Sequence, residues 1–395
     1  MVAPLDGIRV IEIANYVAGP ATGALLRDLG ADVIKVEPPG GEVMRGVLGD
    51  GGINVLFELE NRGKRSFTVA LEKPGASEVV DTLLSGADIL LTNLIPPRLR
   101  KYHLTPDEVR ARHPRLIFLS VTGYGLSGPD ADRPGFDFAA FWARAGIMSL
   151  VGHPGQPPVL SRIAQGDHTT GINAVAAALA ALRLRDLTGE GQTVEISLQN
   201  TGVYTIATDL ARALVDHRQP PKMDRTAPSN PLFNSYPTSD GRWIMLVHMT
   251  PDPYWPKLCR AIGREDWVTD ARFATIRGRA EHGAALSATI EAAFRAHDMA
   301  HWAETLDANG LIWAPMAELP EVVSDPQLKE MGAFETIEHA LGSFQTVATP
   351  FKIRDADVRV RGAAPDAGAH TEEVLAELGV DEERLARWAA DGVFG

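Results

Sequence analysis

The sequence predicts an α/β protein: a large domain built on a mostly parallel sheet, joined to a smaller α+β domain. Two observations predict it. Through the first 200 residues, short β-branched or apolar runs alternate with helical patterns, and strand–helix–strand repetition means a parallel sheet covered on both faces. The composition then changes over 217–232, HRQPPKMDRTAPSNPL, where four prolines in 16 residues mark a connection. A chain of 395 residues also exceeds one typical domain.

The expected strands are RVIEIA (9–14), DVIKVE (32–37), SFTVAL (66–71), DILLTN (88–93), LIFLSV (116–121) and TVEISL (193–198). Helical patterns lie between them: PATGALLRDLG (20–30), GASEVVDTLLSG (75–86) and TTGINAVAAALAALRLRD (169–186). SYPTSDGRWIMLV (235–247) reads as a hairpin around Asp240-Gly241. LIWAPMA (311–317), FETIEH (334–339) and FQTVATPFKI (344–353) read as further strands, and 370–394 as two short surface helices. The expected organisation is a large domain over 1–200 completed by 365–395, a linker over 201–225, a small α+β domain over 226–330 and a return linker over 331–364. In parallel sheets ligands bind beyond the carboxyl ends of the strands, so chemistry is sought there.

The net charge of −13 disfavours a phosphate backbone as partner, so no nucleic acid is expected. The single cysteine, Cys259, forms no internal disulfide and belongs to no metal pattern, which fits a reducing cytosol. MVAPLDGIRVIEIA lacks the basic-then-apolar character of a signal peptide. The apolar run AVAAALAAL (174–182) is about half of the roughly 20 residues that a membrane span needs. A cytoplasmic protein with no membrane partner and no metal is the expectation.

Three patterns invite over-reading. GYGLSG (123–128) fits the dinucleotide glycine pattern, but PDADRPG follows it and no helix can start there. HDMAH (297–301) has the histidine spacing of zinc peptidases, yet Asp298 is a good N-cap; with the helix starting at 299, the two imidazoles are expected on different faces. RLRK (98–101) reads equally as a solvated charge run and as an anion site after a strand.

QGDHTTG (165–171) holds the most informative residue. Asp167 precedes an Ala-rich helix, where a carboxylate accepts free N–H groups of the first turn and suits the helix dipole. Gly166 would let a ligand come close. An ionised carboxylate can also attack an activated acyl group, with helix-terminal amides stabilising the oxyanion. Capping and catalysis are compatible.

Several stretches together resemble the family III CoA-transferases, which include formyl-CoA transferase and the carnitine CoA-transferases. They are residues 4–41, NRGKRSF (61–67), LIFLSVTGYGLSGP (116–129), QGDHTTGINAV (165–175) and the HTEEVLAELG tail. The resemblance implies a Rossmann-like large domain and a ring-shaped subunit in an interlocked homodimer. It implies a coenzyme A thioester as substrate, a carboxylic acid as acceptor and no tightly bound cofactor. An aspartate at the position of Asp167 would attack the acyl-CoA to give an anhydride and CoA thiolate. The thiolate would then form an aspartyl-CoA thioester, from which the acceptor takes CoA.

By the same resemblance, Val17 and Ala18 would lie beside the thioester. Val69, Ala70, Leu71 and Glu72 would run along adenine and ribose, and Asn93, Leu94 and Ile95 would form the loop after the fourth strand. Lys101 would meet a CoA phosphate, while Phe136 and Asp137 would line the pantetheine arm and the nucleophile. As side chains, Val17, Val69, Leu71 and Leu94 read equally as core. Formyl-CoA transferase has glutamine in place of Val17 and arginine in place of Pro38. Its glycine-rich loop corresponds to VHMTPDPYW (247–255) here, so oxalate and formate are not the expected pair. Phe138, Phe141 and Trp142 are core or a preference for a larger acyl group. The related α-methylacyl-CoA racemase has a histidine where this chain has Phe136, and a phenyl ring cannot exchange a proton. A non-catalytic acyl-CoA-binding protein is the alternative of another class.

Overall fold

The computed structural model describes residues 1–47 and 52–395. Six strands form one sheet: β1 (Arg9–Ile13), β2 (Asp32–Glu37), β3 (Arg65–Thr68), β4 (Ile89–Thr92), β5 (Ile117–Thr122) and β6 (Thr193–Ser197). Their spatial order is β3-β2-β1-β4-β5-β6, and every adjacent pair is parallel. The order reverses between β1 and β4, so their carboxyl ends open a crevice where such sheets bind ligands.

Helices fill both faces. They are α1 (Ala18–Asp28), α2 (Val55–Asn61), α3 (Ala76–Ser85), α4 (Pro96–Lys101), α5 (Pro106–Arg112), α6 (Ile147–Leu150), α7 (Gln165–Thr188), α8 (Leu198–Thr205) and α9 (Ala207–Asp216). A π-helical stretch, Asp137–Arg144, precedes α6. One core cluster joins Val10, Leu26, Leu91 and Leu119 to Ala174, Ala178 and Phe141; the other joins Ile11, Ile34, Leu90 and Phe118 to Val79 and Leu83. Alternate residues of the same strands enter opposite clusters, as the strand period of two requires. Long α7 buries Thr170, Gly171, Ala174, Val175, Ala178, Ala181 and Leu182, a stripe at helical spacing. Gly171 lies against Ala21 and the carbonyl of Ala18, which brings α7 close to α1.

Charge is placed in the centre of this sheet. Glu12 of β1 and Lys35 of β2 are register partners. Lys35 Nζ lies 3.1 Å from Glu12 and 2.9 Å from Glu42, and Lys64 Nζ lies 2.7 Å from Glu12. All four side chains are inaccessible to solvent. Buried charges persist only when paired, and each ion here has an opposite partner.

The smaller sheet is antiparallel, with β7 (Phe233–Pro237), β8 (Trp243–Val247) and β9 (Trp313–Pro315) in that order. Gly241, with φ of +79°, supplies the hairpin turn between β7 and β8. Helices α10 (Trp255–Ala261), α11 (Ile276–Glu281), α12 (Gly283–Phe294), α13 (Met299–Ala308) and α14 (Leu319–Ser324) accompany it. Trp255, Trp267, Phe294 and Trp302 dominate its core, which also encloses Cys259. The chain divides into two compact units, 1–149 with 160–218 and 326–395, and 150–159 with 219–325.

Asp298 caps α13 by accepting the N–H of His301 at 2.9 Å. The expected separation of His297 and His301 is corrected, because their rings stack with centroids 3.9 Å apart. The extended cap residue lays the preceding side chain back over the first turn. Among the described residues no group of three or more His, Cys, Asp or Glu is arranged to hold a metal, and no helix is long and apolar enough to cross a membrane.

The last part of the chain adds α15 (Pro326–Met331), the hairpin β10 (Phe334–Ile337) with β11 (Phe344–Val347), α16 (Thr371–Glu377) and α17 (Glu382–Ala390). The final two helices are anchored rather than merely superficial, since Val374, Leu375 and Trp388 are buried in the large core. The tail also covers the open edge of β3. Ser66 O accepts from the His370 N–H, Thr68 N–H donates to Thr371 Oγ1, and Ala70 N–H donates to Val393 O at 2.7 Å. An exposed strand edge is a template for aggregation, and this cover removes it.

Candidate functional site

At the sheet's reversal point, a cavity of about 280 Å³ is lined by Asn15 and Tyr16 after β1, by Asn93, Leu94, Ile95 and Arg98 after β4, and by Phe136. The two loops are bonded to each other. Asn93 Nδ2 donates to Asn15 O at 2.7 Å, and Asn15 N–H donates to Asn93 Oδ1 at 3.2 Å. Tyr16 has φ of +66°, a left-handed conformation that costs a non-glycine residue of order 1 kcal/mol. It is held there because its N–H donates to Glu42 Oε2 at 3.0 Å, tying it to the buried charge cluster. The Tyr16 and Phe136 rings meet edge to face at 5.3 Å, and both are largely exposed.

Phe136 reaches this cavity through a glycine crossing. Gly123 and Gly135 approach so closely that a Cβ on Gly123 would lie 2.5 Å from the Gly135 Cα. The GYGLSG segment therefore serves a backbone crossing, and turns rather than a helix fill the residues up to the π-helical stretch.

The next residue, Asp137, is buried. Its Oδ1 accepts the N–H of Gly166 at 3.1 Å. Gly166 is buried too, and a Cβ there would lie 2.3 Å from both Asp137 Oδ1 and Phe141 Cγ. The expectation that Gly166 makes room for a ligand is corrected: its missing side chain admits Asp137 and Phe141. Phe141 belongs to the core, and Trp142 packs against it.

Asp167 follows directly. The expectation that it precedes and caps the helix is corrected. α7 begins at Gln165, the cap position is Ala164 with φ of +69°, and no side chain caps it. Asp167 sits within the first turn, half-buried. Nor does its carboxyl simply stay ionised. Burial first, then the Asp137 carboxylate, pushes it up to about 7; Glu60 adds to the rise and His168 opposes it. Burial also raises Asp137, against the pull of the Gly166 and Ala164 amides. Two carboxyl groups in a shared, partly dry environment resist simultaneous ionisation.

His168 and Glu60 were not singled out as a pair by the sequence. His168 Nε2 lies 2.7 Å from Glu60 Oε1, and the Glu60 side chain is 6 % exposed. That hydrogen bond raises the His168 imidazole above its ordinary range. Both residues line a cavity of about 260 Å³ whose other walls are chiefly Ala21, Ala24, Leu25, Ile172 and Val347.

The remaining predicted residues form two further settings. Val17 is the cap residue of α1 and its carbonyl accepts the Ala21 N–H at 2.7 Å; Ala18 is buried. Val69 and Leu94 point into the core, with Leu71 packed against it. Glu72 and Lys101 pair at the surface with N···O of 2.5 Å, and Glu72 also accepts from the Tyr102 hydroxyl. The hydrogen bond to Lys101 lowers the Glu72 carboxyl, and the bond to Glu72 raises Lys101. Asn93, Leu94, Ile95 and Phe136 thus share one cavity, Asp137 joins that group to Gly166 and Asp167, and Glu72 joins Lys101 elsewhere on the same unit.

A doubly wound parallel sheet with a cavity at its reversal point defines an α/β protein open at the carboxyl edge, the place where such sheets bind ligands. The class narrows further, because the family model for CoA-transferase family III matches residues 5–371. The chain belongs to that family and is a CoA-transferase. (R)-2-hydroxy-4-methylpentanoate CoA-transferase of Clostridioides difficile is 32 % identical over 388 residues, spanning 96 % of this chain and 97 % of the relative. Formyl-CoA:oxalate CoA-transferase of Escherichia coli O157:H7 is 30 % identical over 417 residues, spanning 98 % of each. The crystal structure of a CAIB/BAIF family protein from Brucella suis superposes with a TM-score of 0.85 at 32 % identity, covering 96 % of this chain and all of that one.

Proposed function

We propose that this protein moves CoA from an acyl-CoA thioester to a free carboxylic acid, with Asp167 as the nucleophile. The Asp167 carboxylate attacks the thioester carbonyl and expels CoA thiolate, leaving an aspartyl acyl anhydride. The thiolate attacks the aspartyl carbonyl and releases the first acid. The acceptor carboxylate then attacks the aspartyl-CoA thioester and expels CoA thiolate, giving a second anhydride; the thiolate attacks its acceptor carbonyl, forming the new acyl-CoA and releasing the Asp167 carboxylate. The activation of the thioester is kept and handed from acid to acid, so no external energy source is needed. The observation that carries this reading is the desolvated Asp167 carboxyl in the first turn of α7, next to the residue whose N–H holds Asp137. Partial burial withdraws water from a carboxylate nucleophile and protects an anhydride from hydrolysis.

Phe136, Asp137, Asn93, Leu94, Ile95, Val17 and Ala18 are assigned to the thioester and pantetheine, and Val69 to Glu72 with Lys101 to the nucleotide end. The experiment is trapping. Incubation with a panel of acyl-CoA thioesters and hydroxylamine should convert Asp167 to a hydroxamate, detected by peptide mass spectrometry. Absence of an adduct with every thioester that the protein turns over would refute the covalent route.

We also propose a homodimer of interlocked subunits. Tyr204, Leu214 and Val215 on α8 and α9 are 79 %, 76 % and 82 % exposed, an apolar surface of the kind that another chain covers. Light scattering during size exclusion tests it, with twice the chain mass expected.

A further inference from the structure

The Glu60–His168 pair lies outside the transfer steps just proposed, yet it is built with care. Glu60 comes from α2 and His168 from α7, 108 positions apart, and their contact is 2.7 Å. The cavity beside them is walled mainly by alanine, leucine, isoleucine and valine side chains. The nearby guanidinium of Arg62 is committed elsewhere, donating to Asp28 at 2.7 Å and to Leu59 O. Glu60 therefore has His168 as its near cation.

We propose that Glu60 and His168 form a positioning pair: Glu60 keeps the His168 imidazole protonated, and that cation, one residue along α7, keeps Asp167 in its reactive carboxylate form. The inference rests on Asp167 being the nucleophile. His168 is not itself a catalytic residue. Consecutive side chains on an α-helix diverge by about 100°, so His168 acts on Asp167 through charge rather than by contact. The groups that face the two residues are Glu60, Arg62 and Asp167 around His168, and Asp137, His168 and Glu60 around Asp167. Of those around Asp167, two are acidic and only His168 is cationic. Burial and Asp137 push Asp167 toward the neutral acid, which does not attack a thioester; His168 is the opposing group that the chain supplies.

The test compares His168→Gln, His168→Lys and Glu60→Gln with the unaltered protein, each checked for a native melting transition. The first readout is the carboxyl ¹³C titration of Asp167, which does not depend on turnover. His168→Gln should raise its midpoint by about one pH unit, and His168→Lys should restore it. In Glu60→Gln, the imidazole midpoint of residue 168 should fall toward that of a free histidine. The Asp167 midpoint should rise by less than in His168→Gln, because one acidic neighbour has gone with the cation. The second readout is trapping at pH 6, where His168→Gln should label Asp167 about tenfold more slowly. An Asp167 midpoint unmoved in His168→Gln overturns the proposal. So does a His168→Lys midpoint displaced as far as that of His168→Gln, or an imidazole midpoint unmoved in Glu60→Gln. If the unaltered protein gives no Asp167 adduct while the carboxyl midpoint moves as stated, the covalent route fails and the charge relationship stands.

Discussion

Gly166 donates its N–H to Asp137 Oδ1 at 3.1 Å, and no room for a Cβ remains between the two residues. The contact lies one residue before Asp167 and one after Phe136, so it fixes the cavity wall and the first turn of α7 against each other. Gly166→Ala would place a methyl 2.3 Å from the Asp137 oxygen and from the Phe141 ring. Overpacking of this kind costs about 1–3 kcal/mol. A lowered melting temperature, together with slower trapping at Asp167, is the expected outcome; an unchanged protein would show that α7 can shift to make room.

Asp167→Asn should abolish turnover and yet stabilise the fold above neutral pH. A carboxyl near 3.8 in the unfolded chain and about 7 in the folded one binds its proton more tightly when folded. Stability from this group is therefore present at low pH and is lost as pH rises from about 4 to about 7. Asparagine carries no charge and escapes that loss. After allowing for solvent screening, the gain at pH 8 is on the order of 1–2 kcal/mol. Urea unfolding of both proteins at pH 5 and pH 8 checks the sign: the difference should be present at pH 5 and clearly larger at pH 8.

The same group sets the pH dependence of its own acylation. Single-turnover formation of the Asp167 adduct should rise tenfold per pH unit below about 7 and level off above it, because the reactive species is the carboxylate. A flat profile between pH 5 and pH 8 would remove Asp167 titration from the chemistry.

Glu12→Gln leaves Lys35 and Lys64 short of a partner in the centre of the sheet. Removing one member of a buried ion cluster costs about 3–5 kcal/mol. Chemical denaturation should register that loss. If less than about 1 kcal/mol is found, the lysines have found water or each other's remaining acids.

Lys101 is already held by Glu72, and a CoA phosphate would have to take over that partner. Lys101→Ala should weaken CoA binding about two- to fivefold, with a smaller salt dependence. Glu72→Gln should leave binding equal or up to about threefold tighter, because the ammonium is released. Titration calorimetry with CoA at two salt concentrations distinguishes the two.

Much of the frame was legible. DVIKVE forms β2 over the same residues, 32–37, because a β-branched apolar run buried on both faces carries a strong signal. Asn93 to Ile95 and Phe136 were named through the family resemblance, and they line one cavity beyond the ends of β1 and β4. The start of α7 was not legible. Ala164 adopts a left-handed conformation without being glycine, so the helix begins at Gln165 with nothing in SRIAQG to announce it. The role of Gly166 was misjudged for a related reason: a glycine signals close approach but not by what, and here Asp137 and Phe141 approach. Glu60 and His168 leave no local trace, since their pairing depends on how α2 meets α7. Glu12 and Lys35 went unread for the same reason: they stand inside the strand runs RVIEI and DVIKVE, and only the register of β1 on β2 makes them partners.

The bond from Ala70 to Val393 has a bearing on how the protein is made. A ribosome adding about 5–20 residues per second needs tens of seconds to travel from one to the other. For that interval the edge of β3 emerges without its cover, and the segment assigned to the nucleotide waits on the carboxyl-terminal helices. The nascent chain is thus most vulnerable to clumping before release, and trimming the final turn would injure assembly at a place remote from Asp167.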